Sequence, residues 1–450
     1  MGFGTDQGKL GNINGMAITA QILGKSIAET GTTVFRPNYT PITFGAIAGR
    51  NCAELFDAKR YTAMQPWHEE NGALFEDVGQ WKRPWYYPKA GETMQQSLNR
   101  EVLAVRNSVG ILDASTLGKI DIQGKDAREF LARVYTNAWA KLGVGKCRYG
   151  LMCKEDGMVF DDGVTSCLAE NHFLMTTTTG GAARVLEWLE LYHQTEWPEL
   201  EVYMTSVTDH WATMTISGPN SRKLLAQLTD DIDLDKDTFK FMDWRPGTVA
   251  GVPARVFRIS FTGELSYEIN VSANHGLQVW KKLMEVGKQY DITPYGTETM
   301  HVLRAEKGFI IVGQDTDSTL TPYDLGMGWA VAPTKPFSFI GKRGMAREDA
   351  VKPNRKQLVG LMAKKPDVVI PEGSQAVANP NQPIPMTMLG HITSSYYSAT
   401  LGRSIAMGLI RGGLDRMGET VYYPQADGSV IEAEICSPVF YDPKGDRQNV

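Results

Sequence analysis

Long hydrophobic runs are missing. No apolar stretch approaches the roughly 18–20 residues that a helix needs to cross a bilayer, so no membrane-spanning helix is expected. Cysteine is scarce: Cys52, Cys147, Cys153, Cys167 and Cys436, with no CxxC pair. Such usage gives neither a disulfide framework nor a structural zinc site, and it suits a reducing, cytoplasmic setting. The seven histidines are scattered without an HExxH motif, and no metal site is expected. A net charge of −5 supplies no general basic field for nucleic acid. The dinucleotide glycine fingerprint, the P-loop and the GxSxG nucleophile elbow are all absent. Residues Met1 to Gly15 are glycine-rich and polar, without the basic and apolar regions of a secretory signal.

The 450 residues exceed what one core usually organises, so two to four domains are expected. Residues 1–60 show little periodicity: a short helix around Ala17 to Leu23, then an extended stretch ended by Pro37. They read as an arm that docks on something else. Residues 61–350 carry an α+β pattern. Leu98, Val102, Val105 and Val109 recur at helical spacing. Ile120 and Ile122 alternate with Asp121 and Gln123 as a half-buried strand, and Phe130, Leu131 and Val134 follow on a helix. Phe257, Ile259 and Phe261 alternate as a strand, which resumes at Tyr267 to Asn270 after Gly263. Leu277, Trp280, Leu283 and Met284 mark a further helix. From about Lys352 the pattern becomes apolar strands between Gly- and Pro-rich turns, which predicts a separate β domain over 351–450.

Three constellations could carry chemistry. Two consecutive acids, Asp161 and Asp162, stand in a strand-like segment from Gly157 to Thr165. Side chains alternate across a strand, so one acid must face the core side. Two readings stand: a polar hairpin with both acids solvated, or an acid held in a cleft beside developing positive charge. Glu268 follows a Thr262-Gly263-Glu264 turn. It reads as a solvated acid, or as a carboxylate able to accept two parallel hydrogen bonds from an amidine-like edge. The acids from Asp315 to Asp324 lack the Gly and Glu of a calcium loop and read as a solvated loop leading into a helix started by Pro322. Trp67, Trp81, Trp85, Tyr86 and Tyr87 read as core or interface aromatics.

These segments, in order from about Met64 to Val439, resemble the glycine cleavage T-protein family of folate-dependent aminomethyltransferases. The likeness runs through Gly79 to Pro84, Val109 to Ser115, Gly157 to Asp162, Thr262 to Glu268, Arg304 to Gly308 and Gly390 to Ser394. A narrower likeness, to heterotetrameric sarcosine oxidase alpha subunits, rests on Gly4 to Lys9, Glu29 to Pro37, Ser115 to Asp121, Arg148 to Met152 and Cys436 to Phe440. The resemblance implies a T-protein-like folate-binding fold with a C-terminal β-barrel and an N-terminal extended arm. It implies a catalytic role for Asp162 beside the folate nitrogens, and cofactor-binding roles for Glu268 at the pterin edge, Tyr149 and Trp329. The implied cofactor is tetrahydrofolate. FMN or FAD would enter only through a flavin-bearing beta subunit, with small gamma and delta subunits as further partners. NAD would belong to an N-terminal nucleotide-binding half that this chain lacks. The implied product is 5,10-methylenetetrahydrofolate, captured from the imine of an oxidative demethylation. A free-standing aminomethyltransferase or demethylase, an N-methylglutamate dehydrogenase component and a non-catalytic folate-binding scaffold remain open alternatives.

Overall fold

The helical spacing of Leu98, Val102 and Val105 is realised in helix α1 (Met94–Asn107), whose buried face carries all three. Thr93 and Gln96 close a capping box at its start, each side chain satisfying the other's backbone N–H. The computed structural model describes residues 20–26, 58 and 60–450. The chain divides into two units, residues 1–58 and 59–450. In the first, residues 20–23 are helical; the rest of the expected helix and the extended stretch ending at Pro37 lie outside the described residues. Among the described residues no helix is long and apolar enough to cross a membrane.

In the larger unit a hairpin, β1 (Leu74–Val78) and β2 (Trp81–Tyr86), precedes α1. Then come β3 (Gly110–Asp113), β4 (Gly118–Gln123) and α2 (Ala127–Val134). The strands β5 (Cys147–Cys153), β6 (Val159–Ala169) and β7 (His172–Thr177) form a meander. Helix α3 (Ala182–Thr195) leads to β8 (Tyr203–Ser206) and β9 (Trp211–Ser217). A second meander, β10 (Trp244–Val249), β11 (Val252–Phe257) and β12 (Ser266–Ser272), is followed by α4 (Gly276–Gly287), β13 (Thr293–Pro294) and α5 (Thr297–Glu306). The strands β14 (Lys356–Ala363), β15 (Gln375–Val377), β16 (Met388–Ser398), β17 (Arg403–Arg411), β18 (Thr420–Pro424) and β19 (Val430–Cys436) close a barrel. The remaining sheets are six-stranded, in the order β10-β11-β12-β9-β3-β13, and five-stranded, in the order β5-β6-β7-β4-β8. This is the α+β class with the expected C-terminal barrel.

Three local readings are corrected. Helix α1 stops at Asn107; Val109 lies beyond it and is buried in the core of the six-stranded sheet. The strand expected through Phe261 ends at Phe257, because Arg258 exchanges backbone bonds with Met242 and Asp243 instead of a ladder partner. The acidic loop is not solvated throughout. Asp315 is fully buried, where Arg304, Thr393, Ser394 and the Ile311 N–H bind its carboxylate. Asp324 is buried against Arg355, and Pro322 opens a turn, with no α-helix following it.

A single buried arginine ties the layers together. Arg106, in the last turn of α1, is 2% exposed. Its Nε and Nη2 donate to Glu306 Oε2 at 3.0 and 2.6 Å, and Nη1 donates to Glu264 Oε1 at 2.9 Å. The carbonyls of Thr262 and Leu303 take the other two donors, which uses all five guanidinium N–H groups. Glu306 Oε1 accepts from Ser398 in β16, at 2.5 Å. Glu264 is also held by Arg447, and the Tyr441 ring lies 4.4 Å from the Arg106 guanidinium. Breaking a buried ion network by removing one partner typically costs about 3–5 kcal/mol, because the remaining charges lose compensation. Arg106→Met is therefore predicted to destabilise the chain by roughly that amount in denaturant unfolding. A loss under about 1 kcal/mol would show that the network is not needed to hold the layers.

Candidate active site

A cavity of about 1520 Å³ opens inside the larger unit, walled by both sheets, the loops after α5 and the segment following the barrel. The strand register decides which side chains reach it. On β5, Cys147 and Tyr149 share one face; on β6, Asp162 and Val164 share the facing positions, with Leu151 opposite Asp162 and Tyr149 opposite Val164. Cys147, Tyr149, Asp162 and Val164 all line the cavity. In the six-stranded sheet, Leu112, Thr215 and Glu268 form one cross-strand row on β3, β9 and β12, and all three line the same cavity. Asp162 and Glu268 come from different sheets and meet at one volume.

Their environments differ. Tyr149 Oη donates to Asp162 Oδ2 at 2.6 Å. Burial pushes the Asp162 carboxyl up to about 7; the Tyr149 hydrogen bond opposes that shift, and Asp161 adds to it. Burial raises Glu268 to about 7 as well, opposed by the charge of Lys119. No described residue donates a hydrogen bond to the Glu268 carboxylate, which is half-buried at the cavity wall. Glu101 also sits at about 7 through burial, yet it accepts from Tyr87 N, Gly296 N and Thr299 Oγ1 at 2.8, 3.2 and 2.6 Å. That acid is satisfied by its own fold. Glu268 and Asp162 keep acceptor capacity open toward the cavity, which marks them as a candidate site.

Asp161 faces the opposite side of β6. It is absent from the cavity wall but fully buried, accepting from Asp162 N, Thr178 N and Thr178 Oγ1 at 2.8, 3.2 and 2.9 Å. A Cβ at Gly181 would lie 1.8 Å from its Oδ2, so glycine is required for this approach. The reading of both acids as solvated therefore fails, and Asp161 is a structural anchor of the loop that opens α3. Trp329 is 70% exposed at the cavity wall, its ring 6.1 Å from that of Tyr149. The structure thus brings Asp162, Tyr149 and Trp329 together, with Glu268 on the facing sheet.

Sequence reasoning missed Lys119. Alternation on β4 places it with Asp121 on the outer face, yet it is 1% exposed, its Nζ donating to the carbonyls of Ser115 and Leu117 at 3.0 Å. Burial lowers it to about 8, and the negative charges of Glu268, Asp113 and Asp209 oppose that shift. The turn before β4 folds back over the strand and covers it, a packing that periodicity does not report. Among the described residues, no group of His, Cys, Asp or Glu could hold a metal ion.

The family model described as the GCVT N-terminal domain matches residues 64–335. The glycine cleavage T-protein C-terminal barrel domain matches residues 356–442, and the sarcosine oxidase A3 domain matches residues 1–50. The chain is 53% identical over 449 residues to the sarcosine oxidase subunit alpha of Corynebacterium sp. (strain U-96), covering 99% of this chain and 46% of that protein. It thus spans about half the length of these sarcosine oxidase alpha-subunit relatives. It is 31% identical over 354 residues to the aminomethyltransferase of Halothermothrix orenii, covering 79% of this chain and 92% of that protein. In fold it is similar to the crystal structure of glycine cleavage system aminomethyltransferase T from Bartonella henselae, with a TM-score of 0.73 and 23% identity, covering 85% of this chain and 98% of that one. With both domain models matched in order and an aminomethyltransferase aligned over nearly its whole length, the chain belongs to the glycine cleavage T-protein family.

Proposed function

We propose that this chain is the tetrahydrofolate-binding, one-carbon-transfer part of a sarcosine oxidase-like complex. The observation that carries the reading is the pair of carboxyls at one cavity: Glu268 with no donor from the chain and Asp162 with one. A reduced folate fits that demand, because its 2-amino-4-oxo edge offers the parallel donors that a lone carboxylate accepts. The apolar wall from Leu112, Ile259 and Tyr295 suits a planar ring. Bound there, tetrahydrofolate supplies amine nucleophiles able to take up a one-carbon unit.

The chain's own residues bind, orient and hold a proton. Glu268 fixes the pterin edge. Tyr149 occupies Asp162 Oδ2, leaving Oδ1 to accept or release a proton at the reacting centre. A carboxyl balanced near pH 7 can do either at neutral pH, and its negative form favours developing positive charge. Trp329 and Tyr149 flank the mouth of the site as aromatic surfaces. In this reading residues 61–350 are the folate-binding domain, 351–450 the barrel domain, and 1–60 an arm that contacts other subunits. The flavin oxidation that makes the one-carbon unit belongs to a partner beta subunit, small gamma and delta subunits complete the assembly, and NAD belongs to a further N-terminal half.

Two variants separate the roles. Glu268→Gln exchanges half of the acceptor pair for a donor and is predicted to weaken tetrahydrofolate binding by roughly 1.5–3 kcal/mol in calorimetry. Asp162→Asn is predicted to leave affinity within a few fold and to slow methylene transfer by about ten-fold or more. Unchanged folate affinity in the first, or an unchanged transfer rate in the second, removes that residue from its role.

The same carboxyls should set a pH dependence of stability. Asp162 titrates near 7 when folded and near 3.8 when unfolded, and Glu268 near 7 against 4.5. Between those values the native state holds protons that the unfolded chain has lost, so stability falls as pH rises from about 4 to about 7. Asp162→Asn is predicted to be neutral at about pH 4 and stabilising by roughly 2–4 kcal/mol at about pH 8. A variant equally destabilised at both pH values would contradict the burial of an unsatisfied carboxyl.

A further inference from the structure

Behind Glu268 the two sheets meet over a buried polar seam. Glu268 and Asn270 stand two residues apart on β12 and so share a face; their direct partners on β9 are Thr215 and Thr213. The first row, Glu268 and Thr215, lines the cavity. The second is closed off, with Asn270 and Thr213 both buried. Asn270 Oδ1 and Thr213 Oγ1 have no hydrogen-bond partner among the described residues. Ser115 is tied to this second row, its Oγ accepting from Thr213 N at 2.9 Å. Lys119 reaches the same place from β4, where its Nζ donates to the carbonyls of Ser115 and Leu117. An ammonium has three donors, so one N–H is left without an acceptor among the described residues. The acids whose charge Lys119 feels are Glu268, Asp113 and Asp209. Asp113 is already bound by Thr62 Oγ1, His68 Nε2 and Ser115 N at 2.5, 3.1 and 3.0 Å, and Asp209 is paired with Arg60 at 2.8 Å. Glu268 is the acid left over. The other titratable groups near it are Cys147 and Tyr295, both of which burial keeps protonated at neutral pH. Arg255, across from Asn270 on β11, lies over the Trp211 ring and feels Asp121 instead.

We propose that Lys119 is a positioning residue for the folate site: from behind the cavity wall it keeps the Glu268 carboxylate charged when a pterin ring covers it. Covering a carboxylate strips its water and favours the protonated form, which no longer accepts two parallel hydrogen bonds. A buried ammonium one row away opposes that loss. Lys119 does not itself line the cavity, so a ligand leaves its place undisturbed. The proposal rests on the folate reading for its purpose, but the pairing of Lys119 with Glu268 can be measured without folate.

The experiment follows the Glu268 carboxyl by ¹³C NMR in the 450-residue chain, in Lys119→Met and in Lys119→Gln, and then measures tetrahydrofolate affinity against pH in each. Both variants remove the charge, and Lys119→Gln keeps a donor for the two carbonyls, so either one that folds carries the test. The expected result is a Glu268 titration moved up by about one unit or more. Tetrahydrofolate affinity then falls about five-fold near pH 7 and matches the parent near about pH 9.5, where the carboxyl is ionised in every chain. In a Glu268→Gln background the loss of Lys119 has no further effect on affinity. A Glu268 titration that stays in place overturns the proposal. So does an affinity loss of equal size at every pH, or one that persists beside Glu268→Gln, since a merely structural lysine gives either. If the titration moves as expected but Glu268→Gln binds tetrahydrofolate as the parent does, the pairing stands and the folate reading above fails.

Discussion

The Arg106 guanidinium is the constraint on which the architecture depends. Its five donors are spent on α1's neighbours: the Thr262–Glu264 turn, the end of α5 and, through Glu306, the barrel strand that carries Ser398. The segment after the barrel closes the same network, since Phe440 and Tyr441 donate backbone N–H groups to the Glu306 carbonyl and Arg447 grips Glu264. Thr262, Lys307, Gly308, Pro438 and Val439 flank these contacts and also line the cavity. The shape of that wall thus follows from a saturated ion network, in which each charge has an opposite charge and each donor an acceptor. Beside it, the apolar core that joins α1 and α5 to the barrel through Val102, Leu303, Leu358 and Met407 supplies the burial that favours folding.

The same accounting, applied to the acids, separates structure from chemistry. Glu101, Asp161 and Asp315 are buried and fully engaged by their own chain. Asp162 is engaged by one hydroxyl and Glu268 by none. Holding two such carboxyls beside a cavity works against folding at neutral pH, which is the expected direction of a site whose missing partners arrive with a ligand.

Much of the fold was legible because local periodicity and burial agree. The spacing of Leu98, Val102 and Val105 became α1, the alternation around Ile120 and Ile122 became β4, and the change near Lys352 preceded the barrel. Asp162 and Glu268 stood out through their motifs, and the register of β5 with β6 then explained why Tyr149 accompanies Asp162. What sequence could not report was pairing over long separations. Arg106 meets Glu264 and Glu306 across 158 and 200 residues, so the Thr-Gly-Glu turn read as ordinary turn chemistry. Asp315 read as solvated for the same reason: Thr393 and Ser394, which help bury its carboxylate, come from a barrel strand that only the topology brings near.

The central claim is that a reduced folate completes the hydrogen bonding of Glu268 while Asp162 stays poised near neutrality. Carboxyl ¹³C NMR on the isotopically labelled chain, titrated with and without tetrahydrofolate, tests it most directly. Free, both groups should titrate near 7. With folate bound, Glu268 should drop into the ordinary carboxylate range, because donors now stabilise its charge, while Asp162 remains within about one unit of neutrality. A Glu268 titration that does not move on folate binding would contradict the account.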